Sequence, residues 1–556
     1  MVGILGANVN KMTSKRDYHY SVQAVDTPFR PASRKTQKTP KTVYRILLIA
    51  CVGVGIWLPI HILRKAESTN YTFGSVSKYL QSSQIQNIET INQDTPTQEV
   101  VHQQQLDTSD PCHSFPNTDG IMLVMKTGAT EAYQKMPTQL LTGMQCLPDF
   151  LLFSDLDQQI GQYHAYDVLS RVNDTVKATH QAFSLYRVQQ DCPVSQSDCT
   201  QGMKGAWDLD KYKFLHMLVR AWEMRPNQKW YLFAEADTYI VWSNIVKWIH
   251  DRAPQDGQLY AGNVAMYGDF RFAHGGTGYL ISGELLKRAV EADSDLGSVF
   301  DDDIENICCG DILVGKVLDA LGVTLRNYWP MFNGDKPNTM AFVHRHWCQP
   351  VLTMHHVNSE EVNSIWQYEM SRRNDGPVLF KDIYEAFVEP HIAHRKQNWD
   401  NLSEGTCFHA PTSGFDDDRE SSFERTAHES ADACALACMA YGVHTGDRSV
   451  LGMSALEEAE YLRTAYRSKL ERLSPEENLC FQWKYRQGEC CLGQSIRLGL
   501  PDRAEDGRQW QSGWNKGGIQ DWIQVKGQCA DGPAWMKGEC VGRHCKKMGL
   551  DEDSED

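Results

Sequence analysis

Residues 230–240 read Trp-Tyr-Leu-Phe-Ala-Glu-Ala-Asp-Thr-Tyr-Ile, an apolar run that ends in two carboxylates, Glu235 and Asp237. The run is predicted to be a buried strand. Carboxylates at the end of a buried strand are costly to desolvate unless something offsets the charge. A divalent cation bound to a diphosphate is one such partner. Capping of the following helix is the plainer alternative, because Asp favours that position. Either way the chain must seat this strand inside a sheet and open the sheet at its carboxyl end.

The neighbouring segments fit that demand. Ile121–Met125 is a short apolar run that leads into the turn Lys126-Thr-Gly-Ala-Thr130, and helical spacing follows at Tyr133, Met136, Leu140 and Leu141. Phe150–Phe153 is a second strand, ending at Ser154 and Asp155. Lys211–Trp222 has helical spacing again. Strands alternating with helices predict an α/β domain with a largely parallel sheet. Ligands of such sheets gather at the carboxyl ends of the strands, where Lys126, Asp155, Glu235 and Asp237 all stand.

The chain has 556 residues, more than one ordinary domain, and a net charge of -16 that argues against nucleic acid as a partner. Residues 1–45 nevertheless carry nine Lys or Arg against two Asp, and read as a polar, disordered cytosolic tail. Residues 46–63 follow as 18 residues without formal charge, near the lower end of the roughly 17–25 needed to span a membrane. The basic flank orients them as a signal anchor with the bulk of the chain in the lumen. Residues 64–110, rich in Gln, Ser and Thr, read as a stem. Sixteen cysteines lie beyond the span, an even number that suits disulfides in an oxidising lumen better than zinc. Cys192 and Cys199 read as a local bridge. Sequons at Asn70, Asn173 and Asn401 are candidate glycosylation sites.

Further along, residues 274–279 read His-Gly-Gly-Thr-Gly-Tyr, where Gly275, Gly276 and Gly278 permit close approach of a ligand or simply a tight turn. Asp311 opens an apolar helical stretch, as an N-cap or as a general base. His355 and His356 follow a short apolar strand, as structural residues or as metal ligands. Tyr328, Trp329 and Trp347 stand in the segment before the histidines, as core packing or as flat faces for a ligand.

Taken in order, these motifs resemble glycosyltransferase family 31, the β-1,3-glycosyltransferases that include Fringe and core 1 β-1,3-galactosyltransferase, and most closely a fungal core 1-like branch. The family's Asp-Asp-Asp-Thr-Tyr is similar to Glu235-Ala-Asp237-Thr-Tyr239, its Gly-Gly-Ala-Gly-Tyr to Gly275–Tyr279, and its Glu-Asp base segment to Gly310-Asp311. The resemblance covers about residues 112–395. It implies a GT-A fold over residues 111–400, a UDP-sugar donor with galactose the first expectation, manganese, inversion at the anomeric carbon, and a type II Golgi (or ER) membrane protein acting on a glycan or glycoprotein acceptor. It further implies Asp237 with His355 or His356 on the metal, Asp311 as base, and Glu235, Asp155, Lys126, Lys211, Gly275 and Gly276 around the donor. Tyr328, Trp329 and Trp347 would meet the acceptor. Two departures stand out: in the acidic motif Glu235 replaces the first Asp and Ala236 the middle one, and Gly310 replaces the acid before the base. They keep a second reading open, a catalytically silent carbohydrate- or protein-binding membrane protein on the same fold.

After residue 400 the cysteines cluster. Cys434-Ala-Leu-Ala-Cys438, Cys480-Phe-Gln-Trp483 and Gly488-Glu-Cys-Cys491 resemble a PAN/apple-like module, assigned to residues 401–501, with a charged helical insertion at 455–473. Residues 502–556 read as an acidic tail that Cys529, Cys540 and Cys545 tie down in part.

Overall fold

The computed structural model describes residues 20–22, 110–253, 257–372, 375–410, 422–441, 455–472, 479–504 and 507–542. The expected membrane span, the stem and the Asn70 sequon lie outside the described residues. Among the described residues, no helix is long and apolar enough to cross a membrane.

Nine strands form one large sheet. Eight are β1 (Ile121–Lys126), β2 (Phe150–Ser154), β3 (Gln158–Ile160), β4 (Tyr163–Asp167), β5 (Trp230–Glu235), β6 (Tyr260–Gly262), β7 (Tyr279–Ser282) and β8 (Leu325–Asn327). The ninth is Glu539–Val541, at one edge, and the order from there is β8-β6-β7-β5-β1-β2-β4-β3. Strands β5, β1, β2 and β4 run parallel. Strand β7 is antiparallel to both β5 and β6. The fold is therefore α/β as expected, with a mixed rather than a largely parallel sheet. The reason lies in the short connection between β6 and β7, which carries the hairpin Val264–Tyr267 and Phe270–Ala273 and no crossover helix.

Helices α1 (Ala132–Leu141), α2 (Lys213–Met224) and α3 (Asp311–Ala320) flank the sheet. In α2 the side chains of Phe214, Leu215, Met217, Leu218 and Ala221 are buried, which follows from their i, i+3, i+4 spacing. Each such large side chain contributes about 1.5–3 kcal/mol of hydrophobic stabilisation. Helix α3 packs on α2 and on Phe270–Ala273.

The C-terminal module is a four-stranded antiparallel sheet of β9 (Thr406–His409), β10 (Gln482–Arg486), β11 (Glu489–Gly493) and β12 (Gln511–Trp514), in the order β9-β11-β10-β12. It carries α4 (Ala431–Ala440), α5 (Ala455–Arg472) and α6 (Lys516–Lys526). Disulfides Cys434–Cys490, Cys438–Cys480 and Cys407–Cys491 staple it. The expected Cys192–Cys199 bridge is present, with Cys112–Cys146, Cys348–Cys529 and the vicinal pair Cys308–Cys309.

Three expectations need correcting. The stretch after 501 is no mere tail: β12 completes the module, Cys529 is bridged to Cys348, and Glu539–Val541 pairs with β8. Short apolar pieces there find partners distant in sequence, which composition does not reveal. Within residues 1–45, Tyr20–Val22 forms a strand against Ala265–Tyr267, a departure from the disordered tail expected for that stretch. Asn401 is fully buried, and its amide donates to the carbonyls of Trp483 and Gly513. A glycan on that nitrogen is incompatible with this packing. Asn173 caps a short helix at the surface and remains a site that a glycan can reach.

Candidate metal and acid–base site

Strands β1 and β5 pair in register, with Lys126 beside Glu235, and both side chains emerge at the carboxyl end of the sheet. The Lys126 ammonium lies 3.0 Å from Glu235 Oε1 and also bonds Asp210. Lys213, from the first turn of α2, stands 3.2 Å from Asp155 and 3.1 Å from Asp210. Asp155 also accepts the Ala129 N–H at 2.6 Å, which fixes the turn after β1. Burial lowers the Lys126 pKa, but the carboxylates of Asp210 and Glu235 outweigh it and raise the pKa above the ordinary lysine value. The result is a buried network of alternating charges, expensive to assemble and strongly destabilised if one member is removed.

A second cluster forms where Thr353–Met354 pairs antiparallel with Tyr239–Ile240, which carries His355 next to Asp237. His355 Nε2 is 3.3 Å from Asp237 Oδ1, and the rings of His355 and His356 are 3.9 Å apart. One ligand atom from each of Asp237, His355 and His356 lies within 4.8 Å of the others. An oxygen and two imidazole nitrogens suit manganese, zinc or iron, and the buried Nδ1 of His355 has no hydrogen-bond partner. Gly276 lies against the His355 ring, where a Cβ would overlap it, so glycine there is a packing requirement. His356 has φ +60°, a left-handed conformation that costs a non-glycine residue energy. Lys135 of α1 reaches Asp237 Oδ2 at 3.0 Å. Burial pushes the Asp237 carboxyl up, yet His355 and Lys135 overcome this and hold it well below the usual carboxylate range. Neither Glu235 nor Asp237 caps the next helix, whose N-cap is Val241.

Asp311 is the first residue of α3, not its cap; the N-cap is Gly310. Its Oδ2 accepts the Gly275 N–H at 2.8 Å and its Oδ1 the Ile312 N–H at 3.0 Å. Burial pushes its pKa up to about 7, opposed by the Gly275 N–H and Lys126 and reinforced by Glu235. Glycine at 310 has a local reason: a Cβ would overlap the Lys211 carbonyl and the Phe214 ring. The glycine loop thus joins the two halves of the site, since Gly275 holds Asp311 and Gly276 seats His355.

Most of the expected residues converge here: Lys126, Asp155, Glu235, Asp237, Gly275, Gly276, Asp311, His355 and His356. Lys211 does not. Its ammonium bonds the carbonyls of Glu305 and Ile307, and Lys213 takes the place expected for it in the charge network. Lys211 stands in the turn before α2 while Lys213 opens the helix, so the two side chains meet different neighbours. Tyr328 and Trp347 are also corrected. Both are fully buried, Tyr328 edge-on to Trp248 and Trp347 against Trp522 with its indole N–H on the Gly527 carbonyl. Neither offers a face to a ligand. Trp329 is half-buried, edge-on to His346.

Four site residues escaped the sequence reading: Asp210, Lys213, Lys135 and His274. His274 sits edge-on to His355 with ring centroids 5.5 Å apart, and its Nδ1 is buried without a partner. Burial, helped by His355 and His356, lowers its pKa to about 3, so the ring is neutral. Its position directly before the glycine pair was the one available signal. A comparison of the chain with known protein families finds no family whose pattern matches.

Proposed function

We propose that the chain is an inverting, metal-dependent glycosyltransferase of GT-A type, which moves a sugar, galactose as the first candidate, from UDP to a hydroxyl of a glycan or glycoprotein in the Golgi lumen. The observation that carries this reading is the pairing of two unlike carboxylates across one glycine loop. Asp237 is held ionised beside two imidazoles, while Asp311 titrates near neutrality. Ionised ligand and near-neutral base are the two roles that such a transfer needs.

Asp237, His355 and His356 would hold the divalent cation, manganese in this reading, which as a Lewis acid neutralises charge on the departing diphosphate. Lys126 supplies a further positive charge at the same end of the sheet. Asp311 accepts the proton of the acceptor hydroxyl as that oxygen bonds to the anomeric carbon. The bond to the UDP oxygen breaks in the same displacement, and its electron pair leaves with UDP. Glu235 orients the donor, and Asp155, buried behind it, holds Lys213 and the turn after β1 in place. One observation favours the silent alternative: Lys135 and Lys126 already neutralise Asp237 and Glu235.

The test is UDP binding and UDP-sugar turnover with and without manganese, in wild type and Asp237→Ala. Metal-dependent binding and turnover in wild type, with turnover reduced at least about a hundredfold in the variant, is the expected outcome. A wild type that neither binds UDP with manganese nor consumes UDP-galactose, UDP-N-acetylglucosamine or UDP-glucose rules the enzyme out.

A further inference from the structure

Trp207 is 66% exposed, although tryptophan is on average a well-covered residue. With most of its surface in water, it adds little to the core. It lies in the short helix Ala206–Asp210, and Lys211 and Tyr212 keep the right-handed helical conformation up to the start of α2. Trp207, Asp210, Lys211 and Phe214 therefore fall on one stripe, at the i, i+3, i+4 and i+7 spacing of a helical face.

Every member of that stripe after Trp207 meets the acid–base site or the segment that carries its base. Asp210 bonds Lys126 and stands 3.1 Å from Lys213. The Lys211 ammonium donates to the carbonyls of Glu305 and Ile307, at 3.2 and 3.1 Å. The Phe214 ring has the Lys126 ammonium 4.5 Å from its centroid and packs against Gly275 and Gly310, where a Cβ would overlap it. Ile307, Cys308 and Cys309 are half-exposed and lead directly into Gly310 and Asp311. The stripe thus runs from the backbone beside Asp311 out to solvent, and Trp207 is its outer end.

An indole is a large, rigid face with few rotamers to lose, and its π-system carries negative charge on that face. The C–H groups on the face of a sugar ring are weakly positive and match it. We propose that Trp207 is the platform on which the sugar ring of the acceptor stacks while its hydroxyl faces Asp311. The proposal rests on the transfer reading above. It supplies the aromatic face that Tyr328 and Trp347, sealed in the core, do not offer. The acceptor rather than UDP is assigned to it because the stripe reaches the base segment through Lys211 and Phe214. The metal cluster that would hold the diphosphate lies across the glycine loop.

The test is steady-state kinetics on the full chain with manganese and a donor that wild type consumes. The acceptors are methyl N-acetylgalactosaminide, methyl galactoside, methyl mannoside and lactose. Calorimetry of UDP binding and saturation-transfer NMR of the same glycosides run beside it. Trp207→Ala is expected to raise the acceptor KM roughly three- to tenfold, with the loss in KM rather than kcat. UDP affinity is expected to stay at the wild-type value, and Trp207→Phe, which keeps a flat ring, to recover most of the loss. Trp207 is on the surface, so both variants are expected to keep the wild-type Tm. An unchanged acceptor KM beside normal turnover overturns the platform and leaves the transfer reading standing. A fall in UDP affinity in step with the KM also overturns it, by giving the indole to the donor. Should wild type transfer to none of the glycosides, the NMR decides. Saturation transfer that Trp207→Ala removes upholds the platform, and none in wild type, or none lost in the variant, overturns it.

Discussion

Asp311 is 4% exposed and its pKa stands at about 7 against an ordinary 3.8. The folded protein therefore keeps a proton that the unfolded chain releases between about pH 4 and pH 7, and stability falls as pH rises through that window. Replacing the carboxyl with an amide removes the loss. Asp311→Asn is expected to abolish transfer and to raise the Tm more at about pH 8 than at about pH 5, as scanning calorimetry at the two pH values can read. In wild type, kcat/KM is expected to climb as pH rises through about 7 and then level, because the base must be ionised to accept a proton. A flat profile across that range assigns proton transfer to another group. The Asp311 motif was legible in the chain; its pKa was not, since burial and the Gly275 contact arise only on folding.

Helix α2 shows how far periodicity reaches. The spacing of Phe214, Leu215 and Leu218 predicts the helix and its buried face, and the fold agrees. Leu218 is fully enclosed, so Leu218→Ala is expected to cost about 2–5 kcal/mol by denaturant unfolding, with no change in the pH profile of whatever activity remains. The polar positions at the start of this helix were not legible. Lys211, in the turn before α2, and Lys213, its first residue, are two positions apart, and the sequence does not say which one meets Asp155; the placement of α2 against β2 decides it. The strand after β5 shows the same limit. Tyr239–Ile240 is too short to specify a partner, and its pairing with Thr353–Met354 is what converts two isolated motifs into one cluster.

For the whole molecule, the C-terminal stretch is a structural tie. Cys348–Cys529 closes a span of 181 residues, and loop-closure entropy sets its contribution at up to about 5 kcal/mol. Cys529→Ser is expected to lower the Tm and to loosen the packing of Trp347, as tryptophan fluorescence can follow. A glycosylated preparation should carry N-glycan at Asn173 and none at Asn401, as peptide mass mapping before and after deglycosylation shows. Occupancy at Asn401 contradicts its buried amide contacts.

By itself the sequence determined the α/β class, the disulfide-rich second module and the identity of most residues at the site. These follow from local periodicity, cysteine spacing and charge placed at strand ends, all of which are properties of short segments. The tertiary structure alone decided which lysine joins the charge network, that Tyr328 and Trp347 are core, that Asn401 is sealed, and that residues beyond 501 complete both sheets. Each of these depends on contacts between segments far apart in the chain, where strand register and helix phase, rather than composition, set which atoms meet.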